Sequence, residues 1–321
     1  MPSEFDLIRR YFTRPAKRAL LGVGDDCALI AAEAGAAFAV STDMLVEGRH
    51  FHAGADAAKL GHKALAVNLS DLAAMGAAPR YATLALALPE ADDAWLEQFS
   101  QGFFRLAATF GVELIGGDTT RGPRNISITV IGTVPPQQAL RRDGAEVGDE
   151  VWLSGASGDA ALALAHLAGR IRLAGAALAH CLARLHTPLP CVALGLALRG
   201  IASSAIDVSD GLVADVGHIA ERSGVAVELR YAALPRSRAL QACADAQLVQ
   251  DCLLAGGDDY ELAFSASPDA RLRVESLAAE LGLALTRIGT VVAGEPGLVS
   301  VIDAAGRIMQ LERKGFDHFG S

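Results

Sequence analysis

Six short segments of this chain set an aspartate beside glycine, serine or threonine: Gly24-Asp25-Asp26, Ser41-Thr42-Asp43, Ser70-Asp71, Gly116-Gly117-Asp118, Asp207-Val208-Ser209-Asp210 and Gly256-Gly257-Asp258-Asp259. Most follow an apolar run, which predicts carboxylates gathered at strand ends. Taken singly, each reads as a turn or a helix N-cap. Capping explains neither the glycine pairs nor the number of segments. Two carboxylates about 4 Å apart repel by roughly 4 kcal/mol at an effective dielectric near 20. A gathering of five or more therefore predicts bound cations. Oxygen-only ligation with little histidine favours magnesium over zinc or copper.

Glycine lets a backbone approach a phosphate closely, and exposed N–H groups there bind anions. Gly116-Gly117-Asp118 combines that feature with a metal ligand. Asp207 and Asp210 flank Ser209 at a predicted helix start, a spacing that lets both reach one ion cluster. The candidate positive groups nearby are Arg142, Arg121, Lys63 and His50. His50, in Glu47-Gly48-Arg49-His50-Phe51, reads as a ligand contact or as a plain loop residue. The chain carries no Gly-x-x-x-x-Gly-Lys-Ser/Thr loop, no complete Gly-x-Gly-x-x-Gly, no His-Glu-x-x-His and no Gly-x-Ser-x-Gly. No nucleophile with its base partner is visible.

The elements that must position these residues alternate between helix and strand. A short helix is expected over Phe5 to Phe12. A strand over Phe38 to Val40 should deliver Ser41-Thr42-Asp43 at its end. Lys59 to Met75 has helical spacing, with Leu60, Ala64, Val67 and Leu72 on one face and Asp71 inside it. Strands are expected at Tyr81 to Leu88, Val112 to Ile115 and Ile126 to Val134, with a helix at Trp95 to Phe110. Pro135-Pro136 marks a boundary between residues 1–136 and 137–321. Beyond it, Val151 to Ser154, Ala205 to Val208, Val225 to Leu229, Leu262 to Ser265 and Ile288 to Val292 read as strands. One long alanine-rich helix should follow residues 154–159, and another should run from Asp210-Gly211 through Arg222. Both halves thus read as mixed α/β layers.

The 321 residues, 51% apolar, suffice for two packed cores. Much of the apolar content is alanine, and no run reaches the roughly 20 apolar residues of a membrane span. The N-terminal stretch lacks a signal-peptide core, so a cytoplasmic location is expected. A net charge of −9 argues against nucleic acid as a partner. Five scattered cysteines (Cys27, Cys181, Cys191, Cys243, Cys252) argue against a disulfide framework and predict reduced, mostly buried thiols.

Taken in order, the motifs GVGDDCAL, STDMLVEGRHF, HKALAVNLSDLAAMGA, LIGGDTTRG, AIDVSDGL with DVGHIAERSG, LAGGDDYEL and GFDHF resemble the thiamine-monophosphate kinase family. That family falls in the superfamily of aminoimidazole ribonucleotide synthetase and selenophosphate synthetase. The likeness runs from residue 22 to residue 319. It implies a two-domain α/β (α+β) aminoimidazole ribonucleotide synthetase-like fold, with an N-terminal mixed sheet that dimerises and a C-terminal α/β domain. It also implies ATP-dependent phosphorylation of thiamine monophosphate to thiamine diphosphate, the last step of that cofactor's synthesis, by a cytoplasmic homodimer. By motif, magnesium ligands would be Asp26, Ser41, Thr42, Asp43, Asp71, Asp118, Asp207 and Asp210. Gly117, Asp118, Arg142 and Ser209 would contact ATP; His50, Asp258 and Phe316 would contact thiamine monophosphate. The chain departs from the family pattern at Asp258 (often glutamate), Phe316 (often a larger aromatic) and Cys191 (commonly arginine). Residues 1–20 lack the reactive Cys of selenophosphate synthetases, and the chain does not end in the cysteine of hydrogenase-maturation relatives.

Overall fold

The computed structural model describes residues 4–23, 27–313 and 315. Two compact units share the chain: Met1–Leu72 with Ala77–Gln137, and Ala73–Gly76 with Gln138–Ser321.

The first unit begins with α1 (Glu4–Leu7), which passes into a π-helical turn at Ile8–Phe12. Then come β1 (Ala37–Val46), α2 (Ala57–Ala74), β2 (Ala78–Leu88), α3 (Asp93–Phe110), β3 (Glu113–Arg121) and β4 (Asn125–Val134). The strands form one sheet in the order β1-β4-β2-β3. Only β2 and β3 pair in parallel. Two expectations need correction. Ser41-Thr42-Asp43 does not cap a strand: Met44, Leu45 and Val46 carry the alternation onward, and all three residues pair with β4. Gly116-Gly117-Asp118 likewise stays within β3, paired with Thr83, Leu84 and Ala85 beyond a bulge in the register.

Helix α3 has clear local causes. The Asp92 carboxylate accepts from the N–H groups of Ala94 and Trp95, and Gly111 closes the helix at φ 64°. Helices α2 and α3 approach with almost no side chain between them. A Cβ on Gly61 would lie 2.1 Å from the Phe99 carbonyl oxygen, and one on Gly102 would lie 1.8 Å from that of Ala58. Leu65, Leu69, Phe99 and Phe103 are fully buried.

The second unit contains β5 (Glu150–Ser154), α4 (Asp159–Leu167), α5 (Gly175–His186), α6 (Val192–Ala197), β6 (Ser204–Val208), α7 (Leu212–Ser223), β7 (Ala226–Arg230), α8 (Arg238–Ala242), α9 (Ala246–Ala255), β8 (Glu261–Ala266), α10 (Arg271–Leu281), β9 (Leu285–Val292) and β10 (Val299–Ile302). The single alanine-rich helix expected after Ser154 is in fact two, α4 and α5, interrupted where Gly169 takes φ 74°. The sheet runs β10-β7-β9-β5-β8-β6 and is antiparallel except between β10 and β7. All residues of β5 and of its neighbour β8 are buried, so the centre of this sheet is covered.

Glu150 opens β5 with its side chain only 5% exposed, bonded to Arg271 and, at 2.6 Å, to Arg287. Burial alone would raise its pKa, but the two guanidiniums prevail and hold it below the usual carboxylate range. A depressed pKa contributes stability above the unfolded-state value, and that stability is lost as pH falls through the folded value. Glu150→Gln is therefore expected to cost about 2 kcal/mol at neutral pH. The gap to wild type should narrow below about pH 4. Urea denaturation at both pH values checks this, and a gap independent of pH would contradict it.

The cysteines are all free. Burial holds for Cys181 and Cys252, whereas Cys191 and Cys243 are half-buried and Cys27 is exposed. The expectation of mostly buried thiols is thus correct for two of the five. No helix of the described residues is long and apolar enough to cross a membrane.

Candidate active site

In the first unit, strand alternation separates the Ser41-Thr42-Asp43 run into two faces. Ser41 and Asp43 face α2. The Ser41 hydroxyl donates to Asp71 Oδ2 at 2.5 Å, and the Asp43 N–H donates to Asn68 Oδ1 at 3.0 Å. Asn68 is held in turn by its own Nδ2 donating to the Ala64 carbonyl. Thr42 points to the other face, its hydroxyl 2.8 Å from that of Thr129.

Gly117 and Asp118 lie on β3, the edge opposite β1. Three strand spacings, roughly 14 Å, separate Asp43 from Asp118. Asp118 shares its register row with Ala85, Ser127 and Met44, two steps from the row of Gly116, Thr83, Thr129 and Thr42. Successive residues alternate between faces, so two steps bring Asp118 to the face of Thr42, the one opposite Ser41 and Asp43. A cavity of about 910 Å³ opens there, lined by Thr83, Gly116, Asp118, Ile131 and, from the N-terminal segment, Phe12 and Thr13. Gly117, at φ 149°, passes so close to β2 that a Cβ would sit 1.8 Å from the Leu84 oxygen. Any side chain at this position would drive the two strands apart.

His50 follows β1 in a tight turn. Its Nδ1 accepts the Val46 N–H at 3.0 Å, which leaves Nε2 as the protonated nitrogen of the neutral ring. Asp26 and Phe316 lie outside the described residues.

In the second unit, β6 delivers Asp207 at its C-terminal end, 5% exposed and paired with Leu262. Ser209 and Asp210 follow before Gly211, which turns the chain at φ 130° into α7. Residues 256–260 run alongside. The Asp258 N–H donates to the Ser209 carbonyl, and the Tyr260 N–H donates to that of Val208, both at 2.8 Å. Asp258 and Tyr260 hold left-handed backbones at φ 67° and 52°, rare for residues with side chains. The Tyr260 hydroxyl donates to Asp258 Oδ1 at 2.9 Å. Gly257 has its reason in this contact, since a Cβ would lie 2.3 Å from the Ser209 oxygen.

Several groups to which sequence reasoning gave no site role support this loop pair. The Arg184 guanidinium donates to the Asp259 carbonyl at 3.0 Å and to Glu261 Oε1 at 2.7 Å. Burial opposes its charge, but Glu261 and Asp259 over-ride burial and raise its pKa. Asp259 is 1% exposed, and both its oxygens accept the Gly158 N–H; burial lifts its pKa well above the carboxylate range. Cys191 Sγ lies 3.4 Å from Glu261 Oε2, and burial and that carboxylate push its thiol pKa up. Asp215, 3% exposed in the first turn of α7, accepts on Oδ2 from the N–H groups of Ser209, Asp210 and Gly211. Burial and Asp210 push its pKa up to about 7 against the pull of those donors. A spacing signal existed for Asp215, which follows Ser209-Asp210-Gly211 within one helical turn; none existed for Arg184.

Arg142 stands apart. Its carbonyl accepts from the Ser223 hydroxyl at the C-terminal end of α7. Ser209 precedes the N-terminal end of that helix, roughly 18 Å away along its axis. Among the described residues, no three His, Cys, Asp or Glu side chains are grouped to hold a metal ion. The donor set that is present, carboxylate and hydroxyl oxygens, is the kind magnesium prefers.

Fold and motifs together define a two-domain chain of the aminoimidazole ribonucleotide synthetase type. Residues 24–134 match the family described as AIR synthase related protein, N-terminal domain, and residues 146–301 match the corresponding C-terminal domain. Within that class, the chain belongs to the thiamine-monophosphate kinase family. It is 45% identical over 322 aligned residues to the thiamine-monophosphate kinase of Escherichia coli K12, covering 99% of this chain and 98% of the relative. The crystal structure of thiamine-monophosphate kinase from Stenotrophomonas maltophilia superposes with a TM-score of 0.84 at 48% identity, covering 88% of this chain and 91% of that one. A ThiL protein complexed with AMPPCP and TMP superposes with a TM-score of 0.79 at 31% identity, covering 92% of each chain.

Proposed function

We propose that this protein transfers the γ-phosphoryl group of ATP to the phosphate of thiamine monophosphate, giving thiamine diphosphate. The observation that carries this reading is the full-length relationship to thiamine-monophosphate kinases. A homologue complexed with an ATP analogue and TMP supports it further. The acceptor is a phosphate monoester with a second pKa of about 6, already mostly dianionic at neutral pH. It needs no general base, in keeping with the lack of a nucleophile–base pair in the sequence. The barrier is the approach of two polyanions, so catalysis rests on positioning and electrostatics.

Magnesium, when bound, supplies charge neutralisation between the phosphates and alignment for in-line attack. The residues assigned to hold it are Ser41, Thr42, Asp43, Asp71 and Asp118 of the first unit and Asp207 and Asp210 of the second, with Asp26 from outside the described residues. Gly117, Asp118 and Ser209 are assigned to ATP. A cavity of about 910 Å³ beside Gly117 and Asp118 is of the size that small-molecule ligands occupy, which supports that assignment. His50, through Nε2–H, and Asp258 are assigned to the acceptor, with Phe316. Arg142, whose carbonyl lies beside Ser223 at the other end of α7, is assigned to ATP as well.

The chain is assigned to a cytoplasmic homodimer. The outer face of edge strand β1 exposes Phe38, Val40 and Met44, at 41%, 62% and 51%. Such a patch favours a second copy. The function is tested by incubating the purified protein with ATP, Mg²⁺ and thiamine monophosphate and resolving the thiamine esters chromatographically. Thiamine diphosphate with stoichiometric ADP is expected. Intact binding of Mg·ATP without that product overturns the kinase reading.

A further inference from the structure

We propose that Asp215 is a positioning residue for phosphoryl transfer: it sets the segment that presents Ser209 and Asp210, and through the Ser209 peptide it sets the acceptor loop as well. The proposal rests on the kinase reading above for its chemistry and on geometry for its substance.

Asp215 Oδ2 takes three consecutive backbone donors, from Ser209 at 3.0 Å and from Asp210 and Gly211 at 3.1 Å each. An ordinary cap satisfies the donors of the first helical turn. These three donors all precede Leu212, where α7 begins. The carboxylate thus grips the segment outside the helix. Three N–H vectors converging on one oxygen fix three successive peptide planes, and with them the directions of the Ser209 and Asp210 side chains.

The Ser209 peptide is engaged at both ends. Its N–H points to Asp215, while its carbonyl accepts the Asp258 N–H at 2.8 Å. Gly257 allows the approach, and Asp258 and Tyr260 are held in left-handed conformations beyond it. Asp215 is anchored on a rigid helix whose Leu212, Val213, Val216 and Ile219 are buried. One buried carboxylate therefore indexes the nucleotide-side and the acceptor-side segments to the same helix.

The test compares Asp215→Asn, which keeps the shape and one acceptor oxygen, with Asp215→Ala, which leaves three donors without that partner. Three quantities are read on the full chain: the affinity for Mg²⁺ with a non-hydrolysable ATP analogue by calorimetry, kcat and KM for each substrate, and the melting temperature. The asparagine variant should weaken Mg²⁺–nucleotide affinity about tenfold and the alanine variant about a hundredfold. KM for thiamine monophosphate should rise as well, and excess Mg²⁺ should recover part of the rate. A purely structural role would lower the melting point and the active fraction while leaving Mg²⁺ half-saturation and both KM values within twofold of wild type. That outcome overturns the proposal. A wild-type protein that binds Mg·ATP without phosphorylating thiamine monophosphate would remove the kinase reading, yet the affinity comparison would still decide the role of Asp215.

Discussion

Asp71→Asn is expected to lower kcat by about a thousandfold while leaving the fold and the melting temperature nearly unchanged. Asp71 is half-buried on α2, and its Oδ2 accepts the Ser41 hydroxyl at 2.5 Å. Asparagine fills the same space and keeps an acceptor for Ser41, so packing on β1 should persist. What disappears is one formal negative charge aimed at the place where β1 and α2 bring their oxygens together. In a reaction limited by repulsion between polyanions, removing a hard anionic ligand strikes the transition state directly. The measurement is initial rate against Mg²⁺ concentration, with circular dichroism melting as the control. Near-normal activity at low Mg²⁺ would remove Asp71 from the ligand set.

Gly102→Ala should damage stability more than any other single methyl addition in the first unit's helices. From helix propensity alone the change should stabilise by about 1 kcal/mol. The structure reverses the sign. The new Cβ would lie 1.8 Å from the Ala58 carbonyl oxygen and 2.7 Å from its carbon, both backbone atoms that no rotamer change can move aside. Gly61 makes the reciprocal approach, 2.1 Å from the Phe99 oxygen, so neither helix can retreat without opening the layer around Phe99 and Phe103. Overpacking of this kind costs about 3 kcal/mol or more. The transition of the first unit should fall by roughly 10 °C. Gly54→Ala is the matched control, because no atom lies within 4 Å of its new Cβ. Equal melting temperatures for the two variants would show that the α2–α3 crossing relaxes freely.

The elements with strong periodicity were legible in the sequence. The helical face of Leu60, Ala64, Val67 and Leu72 is buried as its spacing requires, and Asp71 sits in that helix. Strand ends were less legible, for a physical reason. Glycine and aspartate are poor strand formers by propensity, yet Gly117 and Asp118 are held in β3 by pairing with β2, a tertiary effect that no local window contains. The same holds for Asp43, which remains in β1 because β4 pairs with it. Short helices α6, α8, α9 and α10 and strand β10 went unread, since their apolar patterns are brief or weak.

At the site, residue types revealed which side chains carry chemistry but not what holds them. Asp215, Glu261 and Arg184 act through contacts with residues distant in sequence or with backbone amides, and Tyr260 through a left-handed turn. Family resemblance assigned Arg142 and Ser209 to one ligand, while helix α7 separates their backbones by its length. Such a separation is invisible until the helix is seen to lie between them.

The strand order of the second unit also bears on how the chain assembles during synthesis. Strands β5, β6 and β7 make no pair with one another; every ladder they form is with β8, β9 or β10. Leu153 meets Ala263, roughly 110 positions later. At about 5–20 residues per second on the ribosome, the first three strands of this unit wait several seconds with unpaired edges. Chains released before Glu261 should therefore remain dependent on chaperones, and a rare-codon pause just upstream of β8 should lower the soluble yield more than the same pause after β10.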